Sequence, residues 1–108
     1  MPQLILKGIE IQDVKLISKN LVDELQKIIE CPRDYLTLEV SGGTFIADGE
    51  EISATPMIQV NWFDRGQTMQ DLVAAAITRH IQQAGYSQVE IFFNLLEKHR
   101  YYENGEHY

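Results

Sequence analysis

One cysteine, three prolines and nine basic residues are all that this 108-residue chain holds of each. The lone cysteine, Cys31, excludes an intrachain disulfide and is compatible with a reducing compartment, so a cytoplasmic location is expected. Against the nine basic residues stand sixteen acidic ones, for a net charge of −7. Such a surface repels phosphate backbones, and no basic stripe or basic-aromatic cluster offsets it, so nucleic acid is not an expected partner. No apolar run approaches the roughly 20 residues of a membrane span, and the first residues lack a basic stretch followed by an apolar core. Neither a membrane segment nor a signal peptide is therefore expected. Gly42-Gly43 stands alone rather than within a phosphate-binding loop, and no spacing suggests a Ser-His-Asp constellation. His99 and His107, with Glu103 and Glu106, match no common metal template, so no metal site is expected.

What is present suits a small globular unit. Apolar residues make up 44% of a chain whose length fits one domain, 1–108, with a modest core. Pro2 to Gly8 reads PQLILKG, with Leu4 and Leu6 on one face and Gln3, Ile5 and Lys7 on the other, the alternation of a strand. From about Ile11 to Glu30, Val14, Ile17, Leu21, Leu25 and Ile28 recur every three or four residues, widened by Val22 and Ile29, and predict one long amphipathic helix. Pro32 requires that helix to stop near Cys31. Cys31 itself reads as a small half-buried hydrophobe, since nothing pairs it with a histidine. Tyr35 to Val40 reads as a second strand, ended by Gly42-Gly43. Thr44 to Ala47 fits a short edge strand, and Asp48 to Thr55 reads as a polar loop.

The pattern then repeats. Pro56 precedes the strand Met57–Phe63, and Asp64-Arg65-Gly66 forms a turn. Thr68 and Asp71 have capping-box spacing at the start of a second helix. Met69, Leu72, Val73, Ala76, Ile77, His80, Ile81 and Ala84 share its stripe, and Gly85 suits its end. His80 reads as a half-buried histidine with a satisfied partner. Val89, Ile91 and Phe93 alternate in a last strand, and a polar, aromatic tail spans 95–108.

Two pseudo-repeats, about 2–41 and 56–94, thus share one architecture: proline, strand, helix, strand. A right-handed crossover makes each strand pair parallel. The expected fold is α/β (α+β by other conventions), with duplicated β-α-β units forming one four-stranded mixed sheet and two helices on one face. The other face is then bare. Ile5, Ile58, Val60 and Trp62 are apolar enough to want cover, and a symmetric oligomer is its simplest source.

A duplicated β-α-β unit of this length, with proline directly after the initiator methionine, resembles the tautomerase superfamily. Macrophage migration inhibitory factor and 5-carboxymethyl-2-hydroxymuconate isomerase have this two-unit size. The resemblance covers Pro2 to about Asn94. The runs NWFDRGQ (Asn61 to Gln67) and YYENGEH (Tyr101 to His107) are similar to those of a small uncharacterised bacterial family within that superfamily. The resemblance implies a homotrimer without a cofactor, acting on a small keto or enol carboxylate. Pro2 would be the base once Met1 is removed; if Met1 stays, its nitrogen is an amide. A free α-amino group titrates near ~7.7–8, and desolvation or nearby cations lower that further, which matches proton abstraction at neutral pH. Without catalysis, Pro2 is a strand-opening proline and the protein a trimeric binding or structural member of the same fold with a blocked N-terminus.

Further candidates each stand beside a plainer reading; Arg65, Asn94 and Arg33 follow from the resemblance, and Trp62 and the tail from the residues themselves. Arg65 lies where several tautomerases hold a substrate carboxylate; the alternative is a surface arginine paired to Asp64 or Asp71. Asn94 matches an asparagine of the inhibitory-factor branch, though the preceding pattern is Phe92-Phe93 and lacks that branch's tyrosine; otherwise it ends a strand. Arg33 stands two residues beyond Cys31, near the position of that branch's lysine, or is a solvated loop arginine. Trp62, with Phe63, is core or subunit interface, or else an aromatic pocket wall. The aromatic tail, with Arg100 and Tyr101, suits a strand or turn against a neighbouring subunit, or a site shared between chains.

Overall fold

The computed structural model describes residues 2–108. Strand β1 (Gln3–Lys7) leads into helix α1 (Ile11–Ile29), and a 3-10 turn (Arg33–Tyr35) leads to β2 (Thr37–Ser41). A hairpin follows, formed by β3 (Phe45–Ala47) and β4 (Glu50–Ile52). The second unit is β5 (Met57–Phe63), α2 (Gln67–Gln83) and β6 (Glu90–Leu96). The chain ends in a second hairpin, β7 (Tyr102–Glu103) and β8 (Glu106–His107). The main sheet has the order β2-β1-β5-β6 and is mixed: β1 and β2 are parallel, β5 and β6 are parallel, and β1 meets β5 antiparallel. The expected four-stranded mixed sheet with its two helices is therefore present.

Local chemistry explains the boundaries. Helix α1 ends one residue before the predicted limit, at Glu30, which takes the left-handed conformation (φ 58°) and donates its N–H to the Gln26 carbonyl. Gly66, at φ 86°, is the N-cap of α2, and the expected Thr68–Asp71 capping box does not form. Gln67 instead donates its side-chain amide to Asp71 at 2.8 Å, one helical turn along. The supposed polar loop after Asp48 contains β4, because Asp48 (φ 50°) and Gly49 (φ 81°) form the tight turn that hairpins favour. Asn104 (φ 53°) and Gly105 (φ 86°) turn the tail in the same way.

The core lies between the sheet and the helices. Leu4 and Leu6 of β1 and Ile58, Val60 and Trp62 of β5 are buried against Val14, Leu21, Leu25 and Ile29 of α1 and Val73, Ala76, Ile77 and Ile81 of α2. This corrects the expected bare face. Ile58, Val60 and Trp62 are wholly buried under the helices, and of the four residues named for an oligomeric contact only Ile5 points the other way. Period-2 alternation tells which residues share a face, and Ile5 pairs with Gln59, one step out of phase with the Leu6–Ile58 pair. The open face carries Gln3, Gln59, Asn61 and Asn94 together with Ile5, Met57 and Phe92, so it is mixed rather than apolar. Leu72, placed on the α2 stripe, is 54% exposed. Cys31 packs half-buried against the core.

The helices also meet through charge. Glu24 of α1 accepts from Arg79 Nη1 at 2.7 Å and lies 2.9 Å from His80 Nε2 on α2. The Arg79 hydrogen bond, then that of His80, pulls the Glu24 carboxyl from 4.5 down to about 2. His80 thus has the partner expected of it.

Candidate functional site

The antiparallel register brings three candidates to one end of the sheet. Gln3 lies opposite Asn61 and Leu4 opposite Val60, so one further step sets Pro2 opposite Trp62. Both side chains are fully buried and on the helix side. The Pro2 carbonyl accepts from Thr37 N–H at 3.3 Å, which ties the first residue of the unit to β2. Three residues beyond Trp62, in the turn to α2, Arg65 carries its guanidinium carbon 5.9 Å from the centre of the Trp62 ring, a cation-π contact. Trp62 also packs on Phe93 at 5.0 Å between ring centres.

Arg65 makes neither of the ion pairs foreseen for a surface arginine. Asp64 accepts from Gly66 N–H at 3.0 Å, and Asp71 accepts from Gln67. Among the described residues, the buried side-chain donors without an acceptor are Arg65 Nε and Trp62 Nε1. An unmet buried donor costs about 1–3 kcal/mol, so two beside one another form a local defect in an otherwise satisfied core.

The other candidates lie apart from this pair. Asn94 pairs with Asn61 in the register and donates to its Oδ1 at 3.1 Å, and Gln59 donates to the same oxygen at 2.8 Å. This amide cluster is on the open face, opposite to Trp62. Arg33 is held on the surface of α1 by Asp23 at 2.6 Å, with Gln26 and the Lys19 carbonyl as weaker partners. Its charge is engaged there, as in the solvated-arginine reading. Arg100 is largely exposed and pairs with Glu97 at 2.9 Å. Tyr101 packs edge-on against Phe63 at 5.4 Å, and Tyr108 stacks on Phe63 at 5.7 Å. The tail therefore folds on its own chain, where Tyr108 N–H also bonds the Tyr101 carbonyl. Tyr108 donates to Glu103 at 2.6 Å, and that bond, more than burial, raises its hydroxyl to about 12. Arg100 and Tyr101 line a shallow groove of about 290 Å³ with Leu95, Leu96 and Glu97. Tyr108 was not singled out in the sequence; its packing on Phe63 across 45 positions left no local signal.

A wider groove, about 510 Å³, lies at the opposite end of the sheet, between the Gly8–Ile11 turn and the Ser41–Gly43 segment. Glycines, serines and aliphatic side chains line it together with Glu10 and Tyr86, with no basic residue, and its size alone gives it no chemistry. There Tyr86 donates to Asp13 at 2.6 Å and accepts Glu10 N–H at 3.0 Å; burial, then the Asp13 bond, raises its hydroxyl above the usual tyrosine range. Among the described residues no cluster of histidine, cysteine and carboxylates is arranged to hold a metal ion, and no helix is long and apolar enough to cross a membrane.

The chain is similar to several solved proteins. A crystal structure of a domain of unknown function (DUF1904) from Sebaldella termitidis shares 38% identity over the whole of both chains, with a TM-score of 0.92. A protein of unknown function from Vibrio cholerae shares 30% identity over 99% of this chain and 87% of its own, with a TM-score of 0.88. Likeness of fold extends much further. A macrophage migration inhibitory factor-like protein from Entamoeba histolytica gives a TM-score of 0.74 at 13% identity, covering 99% of this chain and 98% of its own. A fused 4-OT, described as an asymmetric trimer, gives 0.76 at 12% identity, covering 97% and 94%. No curated protein matches the sequence. The family profile "Domain of unknown function (DUF1904)" matches residues 1–107, and the chain belongs to that family, built on the fold of the tautomerase superfamily.

Proposed function

We propose that this protein is a cofactor-independent tautomerase or isomerase acting on a small keto or enol carboxylic acid, with Pro2 as the proton carrier and Arg65 as the carboxylate holder. What supports the reading is the shared position of the two residues: Pro2 opposite Trp62, and the Arg65 guanidinium over that same ring without a carboxylate partner. Once Met1 is removed, Pro2 is a secondary amine with a free lone pair. It takes the enol O–H proton, the O–H electron pair becomes the C=O π bond, and the C=C π pair takes the proton back from the Pro2 ammonium to form the new C–H bond. The lone pair then returns, and charge balances with no other reactant. A cation beside the developing enolate lowers the barrier. Homotrimeric assembly belongs to the same reading. The open sheet face, with Ile5, Met57 and Phe92 among amides, is the surface that would meet the other copies.

Intact mass of the untagged protein and phenylenolpyruvate ketonisation together test this. The expected result is a mass lacking methionine and a rate that falls about 100-fold or more in Pro2→Ala. A retained methionine, or equal rates in the two proteins, rejects Pro2 as the base. Arg65→Ala is expected to raise KM more than it lowers kcat.

One observation favours a second reading. Pro2 is fully buried, whereas a base needs access to substrate. A non-catalytic trimeric binding or structural protein with a blocked N-terminus accounts for that burial, and a retained Met1 on the intact protein supports it.

A further inference from the structure

The tail hairpin is bonded to itself and only rested on the body. Its strands β7 and β8 pair with each other and not with the main sheet. Among the described residues, every hydrogen bond made by 101–108 stays within 97–108. Its seat is aromatic: Tyr101 and Tyr108 meet Phe63 at 5.4 and 5.7 Å and one another at 5.1 Å. A unit that is internally bonded and seated by side chains opens at less cost than a strand of the main sheet. The seat also borders the proposed base. Phe63 follows Trp62, the residue opposite Pro2, and faces the open side of the sheet. The Tyr108 hydroxyl, raised chiefly by its bond to Glu103, lies close enough to the Tyr35 hydroxyl to be raised by it as well. Tyr35 stands just before β2, whose Thr37 N–H bonds the Pro2 carbonyl. Because β1 runs between β2 and β5, a ring reaching from Phe63 toward Tyr35 crosses the amino-terminal end of β1.

We propose that residues 101–108 are a strap across the amino-terminal end of β1, which must lift off Phe63 before a substrate meets the Pro2 nitrogen. The strap rests on the proposed function above, because it regulates that same site. It gives a reason why Pro2 is fully buried and why neither groove described above is lined by it. The helices cover the proline ring from one side of the sheet, and the strap closes the other. The exposed turn Lys98–Arg100 is the hinge. Asn104 and Gly105 hold the hairpin in shape, and the Tyr108–Glu103 bond stays within it, so the strap lifts as one body. Only the aromatic contacts with Phe63 are given up on opening.

The test uses the full chain beginning at Pro2, whose α-amine is acetylated by an activated ester and followed by peptide mass. Tyr108→Ala removes the stacked ring and should speed labelling of the Pro2 nitrogen about tenfold, with phenylenolpyruvate ketonisation rising in step. Tyr108→Phe keeps the ring and loses only a bond internal to the strap, so it should label within about twofold of wild type. In the wild-type protein, amide hydrogen exchange should show 101–108 opening together and well before Leu4, Leu6 and Val60. Equal labelling in Tyr108→Ala and wild type overturns the strap. So does a tail as protected as those core strands, a result that needs no variant to fold. Labelling and exchange are read without turnover. Equal ketonisation rates in Pro2→Ala and wild type would therefore reject the proline base and leave the strap to stand or fall on access alone.

Discussion

Pro2 and Pro56 open the two halves in the same way. Each is buried, and each gives its carbonyl to the strand that closes its own unit: Pro2 to Thr37 N–H at 3.3 Å, Pro56 to Glu90 N–H at 3.0 Å. The turns that follow the first strand of each half differ. After β1, Gly8 runs against the backbone of Thr55, and Glu10 N–H is tied to Tyr86, a residue of the other half. After β5, Gly66 stands in open space, and Arg65 and Trp62 keep donors with no acceptor. Because β1 and β5 are antiparallel, the two turns lie at opposite ends of the sheet. One duplicated unit thus has an end whose turn is paired to the other half and an end with two unmet donors, and the second is the end that holds Pro2.

The largest effect should separate the two prolines. Pro56→Ala is expected to leave phenylenolpyruvate ketonisation within about twofold of wild type, against the loss of about 100-fold or more in Pro2→Ala. Equal losses would make the prolines structural equivalents and break the comparison. The two turns should differ next. A Cβ on Gly8 would lie 2.7 Å from the Thr55 carbonyl oxygen at φ 76°, so Gly8→Ala should cost about 3 kcal/mol in chemical denaturation. Gly66→Ala meets no atom and should cost about 1 kcal/mol, from its positive φ alone. Tyr86→Phe removes two hydrogen bonds, one of them to a carboxylate, and should cost about 1.5 kcal/mol. At the other end, Trp62→Phe removes no hydrogen bond, and any loss there comes from the volume taken out of the core.

An effect as small as that of Gly66→Ala concerns the joint between the halves. The carboxyl of Glu24 is depressed from 4.5 to about 2, so its contribution is fully present above pH 4.5 and is lost as the pH falls toward 2. With the side chain about a third exposed, solvent screening reduces that contribution to about 1 kcal/mol. Glu24→Gln should therefore lower stability at pH 7 by about that amount and match wild type near pH 2. An unchanged difference across that range would show that packing, and not charge, joins the helices there.

Much of this architecture was legible in the residues. The stripe Val14, Leu21, Leu25 and the alternation through Leu4 and Leu6 led to the right elements, because helix and strand periods are local. Asp48-Gly49 and Asn104-Gly105 are equally local, yet the first was read as part of a polar loop and the second as tail; both are hairpin turns. The candidate site was less legible. The turn that carries Arg65 is legible in the residues, but the Asp64 bond to Gly66 N–H is not, nor is the pairing of Arg33 with Asp23, ten residues away on a helix face. Trp62 was noted for its ring and not for its N–H.

Residue order alone settled the alternation of strands and helices, the two-unit repeat and the acidic surface, since each is a sum over near neighbours or over composition. Tertiary structure decided which face of β5 is buried, which puts Trp62 under the helices and leaves two donors unmet. Periodicity sorts side chains into two sets without saying which set meets the helices. Only long-range register, set by packing between β1 and β5 across more than 50 residues of chain, makes that choice.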